Sequence, residues 1–293
     1  MKRRRGRRSV IGVYDSGFGG LSVLRHLHQV LPDRDFVYLG DSGRAPYGGR
    51  DIHTILDFSE QAVERLFEEG SRLVIVACHT VSCVALRHLQ QRYCGVGSGR
   101  RILGVTIPGA EQAVEHSAGH IGILATARTV ASGTYLTEIA KLGPHRVLQR
   151  AAPLLAPIVE EGLEADPIAE LAARHYLAEL QGIDTLLLGC THYPLLIDVL
   201  RSLVPRGVTV LDPAPFVAEA LLDWLQRHPG FDGGPSEAPS LRVLCTGDPE
   251  VFARHGARFL GRPLDRVHHV AEIEGRLAHR APQDAPTGQV VRP

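Results

Sequence analysis

The chain has 293 residues, 44% of them hydrophobic and 22% charged, and its 32 basic and 32 acidic side chains leave a formal net charge of zero. That length predicts two soluble domains, and the even balance provides no overall field to draw nucleic acid or an acidic membrane surface. No apolar run reaches the roughly 18 residues of a membrane span, no secretory leader is legible, and five cysteines, an odd number, suit no disulfide framework, so a reduced, cytoplasmic protein is expected.

Residues 1–8, MKRRRGRR, form a basic tail that would serve either as a polyanion contact or as a solvated terminus; we take the second. Residues 9–14 read as a first strand. Asp15-Ser16-Gly17-Phe18-Gly19-Gly20 follows as a polar, Gly-rich turn, and Leu21, Leu24, Leu27 and Val30 then recur at helical spacing. The glycines fit neither GxGxxG nor GxxxxGK[ST], and Asp15 would repel a phosphate. Asp15 suits an amine or a shared proton, or equally a helix N-cap. Phe36–Leu39 is a second strand, leading into the long loop Gly40–Gly49, which favours a functional loop over a plain connection. Ile52–Glu69 is helical by periodicity.

Leu73–Ser82, LVIVACHTVS, carries the first sharp signal. A short apolar run reads as a buried parallel strand, and its carboxyl end, where open α/β sheets bind ligands, releases Cys78, His79 and Thr80. A lone cysteine there would as readily be a buried structural thiol. Beyond it, Val84–Gln91 reads as helix and Ile102–Ile107 as strand, and Pro108-Gly109 marks an expected crossing between domains.

The second signal is a repeat. IGILATARTVASGTYL from Ile121 parallels IGVYDSGFGGLSVL from Ile11, and DTLLLGCTHY from Asp184 ends an apolar run in Cys190, Thr191 and His192. The same order at nearly the same spacing predicts a duplicated α/β unit. If the two halves face each other, each strand end contributes one thiol to a common cleft. Glu160 and Glu161 fall, on this reading, at the start of a helical segment. Further helices are expected over 168–180, 194–203 and 216–226, with strands at 208–211 and 241–245 and a helix on to Phe259. The strand–helix alternation predicts α/β architecture with parallel sheets, in two doubly wound domains rather than a barrel.

Two thiols on opposite walls can act as acid and base on one carbon. One thiolate removes the Cα proton of an amino acid and the opposing thiol returns a proton to the other face. A free thiol titrates at about 8.5, so each needs help: His192 stands beside Cys190, and Asp15 could orient Cys78. Threonine hydroxyls would hold carboxylates. No cofactor is signalled, and with no paired CxxC or HxxxH pattern no metal site is expected.

The set DSGFGG, GDSGRAPYGGR, VACHTVS, IPGA, LLLGCTHYPLL and CTGDPEVF resembles the glutamate racemase family of the cofactor-independent aspartate/glutamate racemases, over about residues 10–270. The resemblance implies L- and D-glutamate interconversion supplying peptidoglycan, and two flavodoxin-like domains with the site between them, in a homodimer. It implies a first domain of 10–107 plus 211–270 and a second of 108–210; 1–9 and 271–293 are expected as disordered tails. By motif, Cys78 and Cys190 would be the catalytic pair, with Asp15, His192 and Glu160 assisting. Asp15, Ser16, Pro46, Tyr47, Gly48, His79, Thr80, Thr126 and Thr191 would meet the substrate. The family reads Ala-Cys-Asn-Thr where this chain has His79, a bulkier side chain that titrates near neutrality. Ala152, before Pro153, stands where relatives often have cysteine. A racemase for another acidic amino acid such as aspartate, or a non-catalytic binding protein on the same fold, are the alternatives.

Overall fold

The computed structural model describes residues 9–278; the basic segment 1–8 and residues 279–293 lie outside it. The first half of the chain runs β1 (Val10–Asp15), α1 (Leu21–Val30), β2 (Phe36–Gly40), α2 (Ile52–Glu68), β3 (Ser71–Val76), α3 (His79–Val84), α4 (Leu86–Tyr93) and β4 (Arg101–Gly104). The second continues with α5 (Thr106–Glu115), β5 (His120–Ala125), α6 (Ala127–Ser132), α7 (Thr134–Leu142), β6 (Arg146–Ala151), α8 (Leu155–Glu160), α9 (Pro167–Leu177), β7 (Thr185–Gly189), α10 (Ile197–Leu203) and β8 (Thr209–Leu211). The chain then returns through α11 (Ala214–Arg227), β9 (Leu241–Cys245), α12 (Pro249–Leu260), β10 (Val267–His269) and a hairpin of β11 (Glu272–Ile273) and β12 (Arg276–Leu277).

Two parallel sheets result. One is ordered β10-β9-β2-β1-β3-β4 and the other β6-β5-β7-β8. Within each, the first strand of the unit lies between the second and the third, so the order β2-β1-β3-β4 is repeated as β6-β5-β7-β8. The duplication expected from the sequence is thus present in strand order. The connections reverse direction beside β1 in one sheet and beside β5 in the other, and such points leave a crevice at the strands' carboxyl ends. Strands β1, β2, β3, β5 and β7 are almost wholly buried, which is why they read as continuous apolar runs rather than alternating ones.

A single apolar core joins the halves. It takes Ile11, Leu24 and Phe36 from the first unit, Leu124, Leu186 and Leu188 from the second, and Leu221 from α11. The outer face of each sheet has its own cluster, one built on Tyr14, Val74 and Ile102 and the other on Ile123, Tyr135 and Leu187. Local chemistry sets the helix ends. Asp248 accepts the backbone N–H groups of Glu250 and Val251 ahead of Pro249, and Gly261 closes α12 at φ +76°.

Four expectations shift. The strand placed at 102–107 ends at Gly104, and Pro108-Gly109 falls inside the first turn of α5. Proline is tolerated there because first-turn N–H groups have no intrahelical acceptor. The helix read from Val84 begins at His79, directly after Cys78, and breaks at Ala85. Glu160 ends α8 instead of starting a helix. Residues 271–278, expected as the start of a disordered tail, form the β11–β12 hairpin: Leu277 is buried and its N–H donates to Gln61 Oε1 at 3.0 Å.

Candidate active site

The carboxyl ends of β1, β3, β5 and β7 open on one cleft of about 280 Å³. Ser16 comes from the turn after β1, Cys78, His79 and Thr80 from the end of β3, Thr126 from the end of β5, and Cys190, Thr191 and His192 from the end of β7. Pro46, Tyr47 and Gly48 enter from the loop after β2, and Glu160 from the end of α8. Of the expected site residues, Asp15 alone does not line the cleft. It is fully buried behind the Gly-rich turn, accepting the Gly17 N–H at 2.9 Å, while its Oδ2 has no hydrogen-bond partner. The lining that sequence reasoning missed is chiefly Pro153, Ala156 and Pro157, around the start of α8, with Tyr193. They carry no titratable pattern to mark them, apart from a tyrosine whose hydroxyl is spent on the Ala152 carbonyl at 2.8 Å.

The two thiols sit in different fields. Cys78, 5% exposed, lies 3.4 Å from Ser16 Oγ. Burial, with the nearby Asp15 charge adding to it, pushes its thiol up to about 12, so at neutral pH it holds its proton. Burial likewise raises Asp15, against the pull of His192 and of the Gly17 and Gly20 amides. Cys190, 7% exposed, lies 3.8 Å from His192 Nδ1, and His192 Nε2 lies 3.0 Å from Glu160 Oε1. Burial alone would lower His192, but the Cys190 and Glu160 contacts outweigh it and raise the imidazole to about 10. One thiol is therefore backed by a buried carboxyl and a serine, the other by an imidazolium and a carboxylate.

The remaining polar groups are fixed by neighbours. Thr80 Oγ1 lies 2.8 Å from Thr126 Oγ1, joining the two halves across the cleft floor. The Gly40–Gly49 loop is pinned by Asp41, which is fully buried, paired with Arg44 at 2.7 Å and accepting from the Thr246 and Tyr47 hydroxyls. His79, 2% exposed, is placed 2.7 Å from the Tyr135 hydroxyl, and burial lowers its imidazole to about 3. Among the described residues no group of three His, Cys, Asp or Glu side chains is placed to hold a metal ion, and no helix is long and apolar enough to cross a membrane.

The fold and site define a duplicated, doubly wound α/β protein in which each unit delivers one thiol, with its own polar neighbours, to a shared cleft. The family model described as Asp/Glu/Hydantoin racemase matches residues 11–221, and the chain belongs to that family. It is 38% identical over 273 residues to a glutamate racemase of Desulforudis audaxviator (strain MP104C), covering 90% of this chain and 98% of that one. Among solved structures, glutamate racemase isoform RacE1 from Bacillus anthracis matches with a TM-score of 0.83 at 33% identity, covering 90% of this chain and 98% of that one. The glutamate racemase of Francisella tularensis subsp. tularensis SCHU S4, solved in complex with D-glutamate, matches with a TM-score of 0.82 at 29% identity, over 90% of this chain and 97% of that one.

Proposed function

We propose that this racemase-family protein interconverts L- and D-glutamate by a two-base mechanism that uses Cys78 and Cys190. The observation that carries the reading is the pair of thiols from matched strand ends on one cleft, with similarity to glutamate racemases along nearly the whole chain in support. One cysteine, as thiolate, takes the Cα proton; the other, as thiol, delivers a proton to the opposite face, and the stereocentre inverts. Asp15 and Ser16 serve the Cys78 side and His192 with Glu160 the Cys190 side, each holding or handing on the proton between turnovers. The hydroxyls of Ser16, Thr80, Thr126 and Thr191, with the Pro46-Tyr47-Gly48 loop and His79, hold the substrate's carboxylates and ammonium group. No step in this scheme calls on a cofactor.

In the cell the product would be D-glutamate for peptidoglycan. A reducing cytoplasm suits five cysteines that are all free, and a homodimer is the assembly we propose, to be checked by sedimentation. We assign 10–107 with 211–270 and 108–210 as the two domains, with β8 reaching Leu211 on the second sheet.

The test is incubation with L-glutamate, and separately L-aspartate, in deuterated water, following optical rotation and Cα–H exchange. Glutamate is expected to racemise with incorporation of deuterium. Exchange with aspartate alone would move the substrate assignment, and no exchange with either would sink the racemase reading. Cys78→Ser and Cys190→Ser should each stop racemisation while failing preferentially with opposite enantiomers. Equal residual activity in both directions would contradict the two-base assignment.

A further inference from the structure

His79 stands on the first turn of α3, immediately after Cys78, and lines the cleft. Its other side meets the second half of the molecule. Tyr135, near the start of α7, is fully buried within the cluster on the outer face of the second sheet. The two rings stack with centroids 6.2 Å apart and an interplanar angle of 28°, and the Tyr135 hydroxyl lies 2.7 Å from His79 Nδ1.

The direction of that bond follows from what each group can do. Among the described residues, His79 Nδ1 is the one hydrogen-bond partner of the Tyr135 hydroxyl. Were Nδ1 the donor, the phenolic proton would be left buried with no acceptor, the costlier arrangement. Burial also raises Tyr135 well above its usual range, so the phenol keeps its proton. The hydroxyl therefore donates to Nδ1. A neutral imidazole with Nδ1 accepting must carry its hydrogen on Nε2. Among the described residues Nε2 has no hydrogen-bond partner and is not one of the sealed, unpartnered atoms, which leaves it to the cleft that His79 lines.

We infer that Tyr135 is a positioning residue that locks His79 as an uncharged Nε2–H donor to a carboxylate of the bound amino acid. The inference rests on the amino-acid racemase reading for its ligand, though not for its tautomer. It identifies a tyrosine 56 positions along the chain as the group that decides whether His79 presents a donor or an acceptor to the substrate. A short amide side chain at this place would present its N–H without such help. The histidine requires it, because a free imidazole samples both tautomers.

Two measurements test this. The first needs no substrate. In protein labelled with nitrogen-15 at histidine, the His79 signals, identified by their loss in His79→Asn, should show a bare Nδ1 and a protonated Nε2. Tyr135→Phe should mix the two tautomers. A protonated Nδ1 in the wild-type protein would overturn the proposal even if racemisation is confirmed. The second is kinetic. Tyr135→Phe removes one oxygen and should raise KM for glutamate roughly 3- to 10-fold with kcat little changed. In a His79→Asn background the same change should leave KM as it is. An unchanged KM in the single variant, or an equal rise in both backgrounds, would reduce Tyr135 to a packing residue. Absence of racemisation by the wild-type protein would refute the activity and leave the tautomer result standing.

Discussion

Gly19 sits where the turn after β1 meets the end of β7. A Cβ built on it would meet Thr191 Oγ1 first and fall 2.7 Å from both Cε1 and Nδ1 of His192, and Gly20 is equally committed, with its added Cβ 2.6 Å from that of Asp15. Gly19 is therefore there for close approach of two walls of the cleft and Gly20 for the fold of the turn over Asp15, and a phosphate has no part in either. Gly19→Ala should displace His192 from Cys190 and lower kcat roughly 10- to 100-fold, measured beside a thermal melt to show that the fold persists. At the same scale, His79 makes a prediction about acid. Its imidazole falls to about 3 in the folded protein from the ordinary 6.5, so between those values the unfolded chain binds the extra proton. Stability then rises with pH across that window and is lost as pH falls through it. Urea midpoints measured from pH 6.5 down to pH 4 should drop more steeply for the wild type than for His79→Asn. Parallel curves would show that His79 is not the group responsible.

At the scale of elements, the two halves are tied by packed helices and by clasps on the cleft rim. Helix α1 buries Leu21, Leu24 and Leu27 in the common core, and Leu24→Ala should cost about 2–5 kcal/mol by the usual sum of lost burial and residual cavity, read from denaturant midpoints. Arg258 on α12 donates to the Val159 carbonyl at 2.9 Å and pairs with Glu164, so it holds the end of α8 from the other sheet's side. Glu160, the neighbour of Val159, is half-exposed and depends on that end for its reach to His192. Glu160→Gln should bring the His192 imidazole down from about 10, and Arg258→Gln should do so partly. The direct check is nitrogen-15 titration of His192. No change in either variant would place the source of the shift at Cys190 alone.

Across the whole molecule, the β11–β12 hairpin is linked to the cleft wall by a buried polar path. Leu277 packs on α2, and its N–H shares Gln61 Oε1 with Arg44 Nη1. Arg44 is paired with Asp41, which in turn accepts the Tyr47 hydroxyl on the cleft wall. Deleting residues from Ala271 onward should therefore cost about 1.5–3 kcal/mol for the buried leucine and, beyond that, raise KM as the Tyr47 loop loosens. A loss of stability with unchanged KM would show that the path ends at Gln61.

Much of the site was written locally. Apolar runs ending in Cys78 and Cys190 marked two strand ends, and their matched order marked two units, because a buried parallel strand must be apolar on both faces and its polar residues can appear only where it stops. Helix α1 was legible from the helical spacing of Leu21, Leu24, Leu27 and Val30, because one face of it packs on the core. Tertiary structure alone decided what touches those ends. Asp15 is withdrawn behind the cleft because the turn folds back over it; Glu160 closes a helix because Gly162 follows at φ +77° and the Leu163 N–H donates back to the Ile158 carbonyl, and only the packing of that end brings it to His192; Tyr135 and Arg258 act on residues 56 and 99 positions away. Such pairings leave no periodic trace in a single sequence. They follow from the strand order within each sheet and from the apolar core the two sheets share, which together bring the ends of β1, β3, β5 and β7 to one opening.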